Sequence, residues 1–290
     1  MRKSIAVLMV FAMWMLTACG SGAATEAVPA ETPAAETAAA TPEAPAEPAA
    51  AEESNALTRI KESGKLVIAT SGNFRPITFM NESGQLDGLD IELGKLIAEK
   101  IGVEAEFVPG NISGLIPGLV AGKFDLVMSG LLATDERKKS IDFSVPYGKD
   151  GTIGVVKADN TTITDVTKLE GLVVGVIGGS GTHSVVKEIG GYKELKEYPG
   201  NAEAFTDLKA GRIDIYATGR LAANDFIKND KSDQPLKLVG EVHAMKDMGV
   251  GINKGEEELK ALIDELIQEK MNDGTIDELA IKWTGAALPK

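Results

Sequence analysis

The sequence predicts an α/β protein with parallel-rich sheets and helices on both faces. Strand-like and helix-like segments alternate along about 230 residues, from about Leu57 onward. The strand segments include continuous apolar runs such as Leu126-Val127-Met128, the pattern of a buried strand. Helical stretches stop at glycine, as at Gly102 and at Gly122-Lys123-Phe124-Asp125. A body of this length suits two modest domains.

In order, Leu66 to Ala69 reads as a strand and Ile91 to Lys100 as a helix. Ala105 to Val108 is a strand, Leu115 to Ala121 a helix, and Leu126 to Ser129 a strand. Thr134 is placed to cap a helix start, with Asp135 and Glu136 in the first turn, where acids suit the helix dipole. Gly151 to Val156 is extended, Thr167 to Leu169 a short helix, Val173 to Ile177 a strand, and His183 to Ile189 a helix. Glu203 to Ala210 is a helix, Ile213 to Ala217 a strand, and Leu221 to Asn229 a helix. Val250 to Ile252 is extended, Glu256 to Asn272 a long amphipathic helix, and Ile276 to Trp283 a last one.

The start of the chain has a different character. Met1-Arg2-Lys3 is basic, Ile5 to Leu16 is apolar, and Leu16-Thr17-Ala18-Cys19 follows. This reads as a lipoprotein signal over residues 1–18, with Cys19 as the acylated residue. The apolar run is too short for an ordinary spanning helix. Residues 19–55 form an Ala/Glu/Pro/Thr tether. Ser21 to Ser54 holds seven Glu and no Lys or Arg, and has too little apolar surface to fold. The expected location is therefore the extracytoplasmic face of a cell membrane, held there by lipid.

The formal net charge is −13. Without Arg2, Lys3 and the seven tether glutamates, 28 basic residues stand against 36 acidic ones, about −8. That argues against nucleic acid or anionic lipid as a partner. Cys19 is the single cysteine, and His183 and His243 lack ligand-like spacing, so no metal, redox site or other cofactor is expected.

The stretch Ile112 to Tyr147 carries the most chemistry. Arg137 lies just inside a helix start. On these residues alone it is either a carboxylate trap beside free N–H groups or a solvated helix-end arginine paired with Asp or Glu. Gly88-Leu89-Asp90-Ile91-Glu92-Leu93 opens another helix. Further segments follow in register: Lys65 to Thr70, Leu172 to Val176 before a Gly/Ser turn, Gly211-Arg212-Ile213-Asp214, and Asn272-Asp273-Gly274-Thr275 through Trp283. Together these resemble the bacterial extracellular solute-binding proteins of family 3, which serve importers of polar amino acids.

The resemblance implies a two-lobe periplasmic-binding-protein-like fold of type II. Lobe 1 would be residues 56–147 and 247–290, lobe 2 residues 152–242, and the hinge 148–151 with 244–246. It implies a monomer whose partners are a small-molecule amino acid or other carboxylate and the permease and ATPase subunits of an ABC transporter. The ligand would sit off the carboxyl ends of strands, where Ser71, Gly130, Ser180 and Thr218 fall, and lobe closure would bury it. Arg137 would take its carboxylate, the Gly130 carbonyl would face its amino group, and Phe74 would cover it. Ser180, Gly181 and Thr182, at a helix start, form either an anion nest or a plain glycine-requiring turn.

Three positions depart from the family pattern. Gly219 stands where an Asp commonly pairs the α-ammonium, Leu132 where a Thr or Ser donates, and Ile112 where many members have an aromatic wall. The ligand either lacks a free α-ammonium, as a keto acid does, or is paired by another group, with Asp214 the candidate acid. Arg220 either binds a distal carboxylate or lies on the surface, Arg75 flanks Phe74, and Tyr216 is core. An enzyme is not expected. The alternative, a cyclohexadienyl-dehydratase-like activity on the same fold, needs a buried acid titrating near pH ~6–7, and no acid among the matched cleft positions fills that role. His183 is expected to be an exposed turn residue. No fused catalytic domain is expected after Trp283. A ligand-sensing role would need a separate signalling partner.

Overall fold

The computed structural model describes residues 55–289. Cys19 and most of the tether lie outside them. The described chain opens with α1 (Ala56–Ser63). The Asn55 side chain caps it by accepting the Thr58 N–H, and left-handed Gly64 ends it. β1 (Lys65–Thr70) then enters the core. A small antiparallel sheet follows, made of β2 (Asn73–Phe74), β3 (Thr78–Met80) and β4 (Leu86–Asp87). α2 (Leu89–Ile101) has Asp90 and Glu92 in its first turn, Lys100 in its last, and left-handed Gly102 as its stop. β5 (Glu104–Pro109), α3 (Ile112–Val120), β6 (Leu126–Val127), the single turn α4 (Asp135–Lys138) and β7 (Asp142–Phe143) follow.

The chain then crosses into a second sheet through β8 (Gly148–Lys157). β9 (Val173–Ile177), α5 (Gly181–Ile189), β10 (Glu194–Tyr198), α6 (Asn201–Lys209), β11 (Ile215–Gly219) and α7 (Arg220–Asn229) build that sheet and its helices. β12 (Leu236–Met248) carries the chain back, and β13 (Gly251–Ile252), α8 (Glu257–Asn272) and α9 (Thr275–Thr284) complete it.

The first sheet runs β5-β1-β6-β13-β7 and the second β10-β9-β11-β8-β12. β5, β1 and β6 are parallel, as are β10, β9 and β11. The strands on the crossing and return paths, β7, β8, β12 and β13, join antiparallel. Each sheet therefore has a parallel half built by helical crossovers and an antiparallel half built by the crossings. This is the two-lobe α/β fold of type II. β8 and β12 pair across the crossing itself, Gly148 with Met248 and Asp150 with Lys246.

Each lobe has its own apolar centre. Ile68, Leu93, Ile97, Ile252, Ile263 and Ile267 fill the first, and Phe205, Leu208, Val174, Val186 and Ile215 the second. The expected helix at Thr167 to Leu169 is instead a turn. Asp165 accepts both the N–H and the hydroxyl of Thr167 (both 2.7 Å), which offers the backbone a local alternative to helix.

Candidate functional site

A cavity of about 60 Å³ opens beyond the carboxyl ends of β1, β6, β9 and β11, between the two sheets. That is where open α/β sheets place ligands. All eleven residues singled out for binding line it. Ser71, Phe74, Ile112, Gly130, Leu132 and Arg137 come from the first lobe, and Ser180, Gly181, Thr182, Thr218 and Gly219 from the second. Asn73, Ser129, Leu131, Asp150, Ile177 and Ala217 also line it and were not anticipated.

Arg137 is positioned by the cap of α4. The Thr134 hydroxyl accepts the Arg137 N–H (3.3 Å), and the guanidinium donates to the Leu132 carbonyl (3.0 Å) and the Gly179 carbonyl (3.2 Å). Burial lowers its pKa to about 10. The neighbouring Glu136 pairs with Lys139 instead (2.6 Å). Of the two alternatives for Arg137, the arginine paired with a helix-start acid does not match the structure: its partners are carbonyl oxygens, and it lines the cavity.

Across the cavity, α5 presents its N-terminus. Ser180 caps it by accepting the His183 N–H (3.1 Å), and Gly181 and Thr182 are buried. Gly181 faces Leu132 and Gly179 faces Ser113: Cβ atoms there would lie 2.8 Å from Leu132 Cδ1 and from Ser113 Cβ. His183 is not an exposed turn residue. Its side chain is 13% exposed, and its Nδ1 accepts the Gly179 N–H (3.1 Å).

The first-lobe floor is a hydrogen-bonded set. Ser129 Oγ accepts the Ser71 N–H (3.2 Å) and donates to Ser71 Oγ (2.8 Å). Gly130, in the left-handed region, donates its N–H to Asp90 Oδ2 (2.7 Å), and Tyr147 donates to Asp90 Oδ1 (2.8 Å). Burial raises Asp90 to about 6 despite these donors, and pushes Tyr147 well up. Phe74 packs over Gly130 and Gly219. Ile112 is half-buried against apolar clusters of both lobes.

The acid in the cleft is not Asp214, which is exposed and accepts the Val173 N–H (2.8 Å). It is Asp150, from β8, only 3% exposed. Burial raises its pKa to about 6, opposed by the backbone N–H groups of Gly151, Leu221 and Arg220 and by the Arg220 charge. Arg220 is accordingly not a free surface residue: its Nε lies 4.0 Å from Asp150 Oδ1. Arg75 pairs with Asp225 (3.2 Å) and lies over Phe79. Tyr216 is fully buried and donates to Asn201, which also accepts from Thr218 (3.2 Å). No local sequence signal marks Asp150, which stands between Lys149 and Gly151 at the start of an extended run. Among the described residues no group of three or more His, Cys, Asp or Glu is placed to hold a metal ion.

A two-lobe α/β fold with a polar cleft and a half-buried arginine on its wall defines a solute-binding protein. Residues 66–286 match the model of the bacterial extracellular solute-binding proteins, family 3, and the chain belongs to that family. It is 33% identical to the L-cystine-binding protein TcyJ of Escherichia coli (strain K12) over 82% of this chain and 89% of that one. It is 31% identical to the histidine-binding periplasmic protein of Salmonella typhimurium, over 76% and 87%. Among solved structures it is similar to an ancestral arginine-binding protein bound to arginine (38% identity, TM-score 0.72, 76% and 98% covered). It is also similar to the ancestral amino acid-binding protein AncCDT-1, a precursor of cyclohexadienyl dehydratase (35%, TM-score 0.74, 79% and 99% covered).

Proposed function

We propose that this chain captures an amino acid or a related small carboxylate between its lobes and delivers it to the membrane permease of an ATP-driven importer. The observation that carries this is Arg137, a half-buried guanidinium on the cavity wall bonded only to carbonyl oxygens. A carboxylate is its natural complement, because the planar fork makes two charge-assisted bonds at once. The start of α5 adds N–H groups on the facing wall. The relatives' amino acids, cystine, histidine and arginine, are consistent with this.

Lobe closure about residues 148–151 and 244–246 would clamp the solute. It is supported by bonds that cross the cleft, such as Asn73 Nδ2 to the Pro199 carbonyl (2.9 Å). The protein acts as a monomer, anchored through an acylated Cys19 on the extracytoplasmic face. A Cys19→Ala change is expected to move the protein from the membrane to the soluble fraction of expressing cells, and retention in the membrane would remove the anchor.

One observation favours a second reading. Asp150 is a buried acid in the cleft with a pKa of about 6, the kind of group a dehydratase-like activity would use as a general acid. The same experiment separates the two. A thermal-shift screen of amino acids, keto acids and other carboxylates is expected to show stabilisation of about 2.7 kcal/mol at a hundredfold excess over Kd, with no turnover. Product formed from prephenate-like or arogenate-like compounds would replace capture with catalysis.

A further inference from the structure

The cavity holds a second charge, a buried acid whose bonding is incomplete. Asp150 lines it, is 3% exposed, and its Oδ1 has no hydrogen-bond partner. The backbone N–H groups of Gly151, Arg220 and Leu221 act on this carboxylate, yet its Oδ1 keeps no hydrogen-bond partner. Arg220 Nε stands 4.0 Å away, at the outer limit of an ion pair, and itself lacks a hydrogen-bond partner. Lys246, the register partner of Asp150 on β12, makes no ion pair with it. Asp150 reaches the cavity because residue 219 is glycine: a Cβ there would stand 2.6 Å from Asp150 Oδ2. The carboxylate fills the volume that a side chain on residue 219 would need.

The same cavity is lined by Arg137, whose guanidinium bonds only carbonyl oxygens, and the two charges do not pair with each other. A buried charge is costly unless it is paired and hydrogen-bonded. A solute that brings an anionic end and a cationic end would complete both.

Resting on the reading of Arg137 as the carboxylate site, we propose that Asp150 takes the solute's ammonium group, so that the cleft selects free zwitterionic amino acids. A keto acid or an Nα-acyl amino acid satisfies Arg137 and leaves Asp150 Oδ1 desolvated and unmatched. Sites built to bond a polar group reject analogues that lack it for this reason. Gly219 is then not the loss of an ammonium site. Its missing side chain makes room for the acid supplied by the crossing strand.

The test titrates the purified full chain with the standard L-amino acids and L-cystine, each beside its Nα-acetyl derivative. Wild type is expected to bind at least one free amino acid and to bind its acetyl derivative at least about a hundredfold more weakly. Asp150→Asn, with folding checked by circular dichroism, is expected to weaken that amino acid at least about thirtyfold, the lower end for cutting one partner from a buried charge pair. Moving the acid back, with Asp150→Gly and Gly219→Asp together, is expected to restore much of the affinity. Equal binding of free and acetylated forms, or an Asp150→Asn protein with wild-type affinity, overturns the proposal while leaving Arg137 as the carboxylate site. Failure of every probe, free and acetylated alike, overturns both.

Discussion

Two residues of opposite charge dominate the cleft, and one of them also sets a stability cost. Asp150 has its pKa raised to about 6 in the folded chain, above the ordinary aspartate value of 3.8. Between those values the folded state binds more protons than the unfolded one, so stability falls as pH rises through about 4 to 6, and the full penalty is present at pH 7. Asp150→Asn keeps the shape and removes the charge. Its unliganded form is expected to be about 1–3 kcal/mol more stable at pH 7, and the difference from wild type should shrink to near zero by about pH 4. Asp90 titrates in the same range but is common to both proteins, so it cancels in the comparison. Parallel pH profiles from 4 to 7 in chemical denaturation would mean that Asp150 is not desolvated. Arg137 and the α5 turn were legible in the sequence because short motifs carry them. Asp150 was not, because its role depends on a crossing strand passing a glycine 69 positions away, a juxtaposition that no local pattern encodes.

At the scale of elements, the start of α2 sets the first-lobe floor. Gly88 precedes it with φ +123°, and a Cβ there would stand 2.7 Å from the Ile77 carbonyl carbon and 2.8 Å from the Pro76 oxygen. The helix thereby starts hard against the small sheet and aims Asp90 at the Gly130 N–H. Gly88→Ala combines an unfavourable backbone region with overpacking against backbone atoms, and is expected to cost about 2–4 kcal/mol in urea unfolding. A loss below about 0.5 kcal/mol would mean that α2 can shift without strain. Elements with an apolar run or a helical stripe were readable in advance. β10 and β12 were not: both lie at the edges of their sheet, where Glu194, Lys196, Lys237 and Lys246 interrupt the apolar pattern. The two-residue strands β2, β4 and β7 are too short to show any period. Thr167 to Leu169 was misread because the Asp165 side chain satisfies the backbone there.

For the whole molecule, two lobes joined by a β8–β12 pairing suit capture by closure, since few strand residues must flex while each lobe keeps its own core. The net charge of −13 does not by itself oppose an anionic solute end, because Arg137 lines the cavity while distant charges are screened within about 8 Å at physiological salt. Among the described residues no helix is long and apolar enough to cross a membrane. The central claim is that one guanidinium grips the solute's carboxylate, and calorimetric titration of Arg137→Ala beside wild type tests it most directly, using the amino acid that gives the largest thermal shift. A folded Arg137→Ala protein with affinity lost by about a hundredfold or more is the predicted result; wild-type affinity in that variant would contradict it.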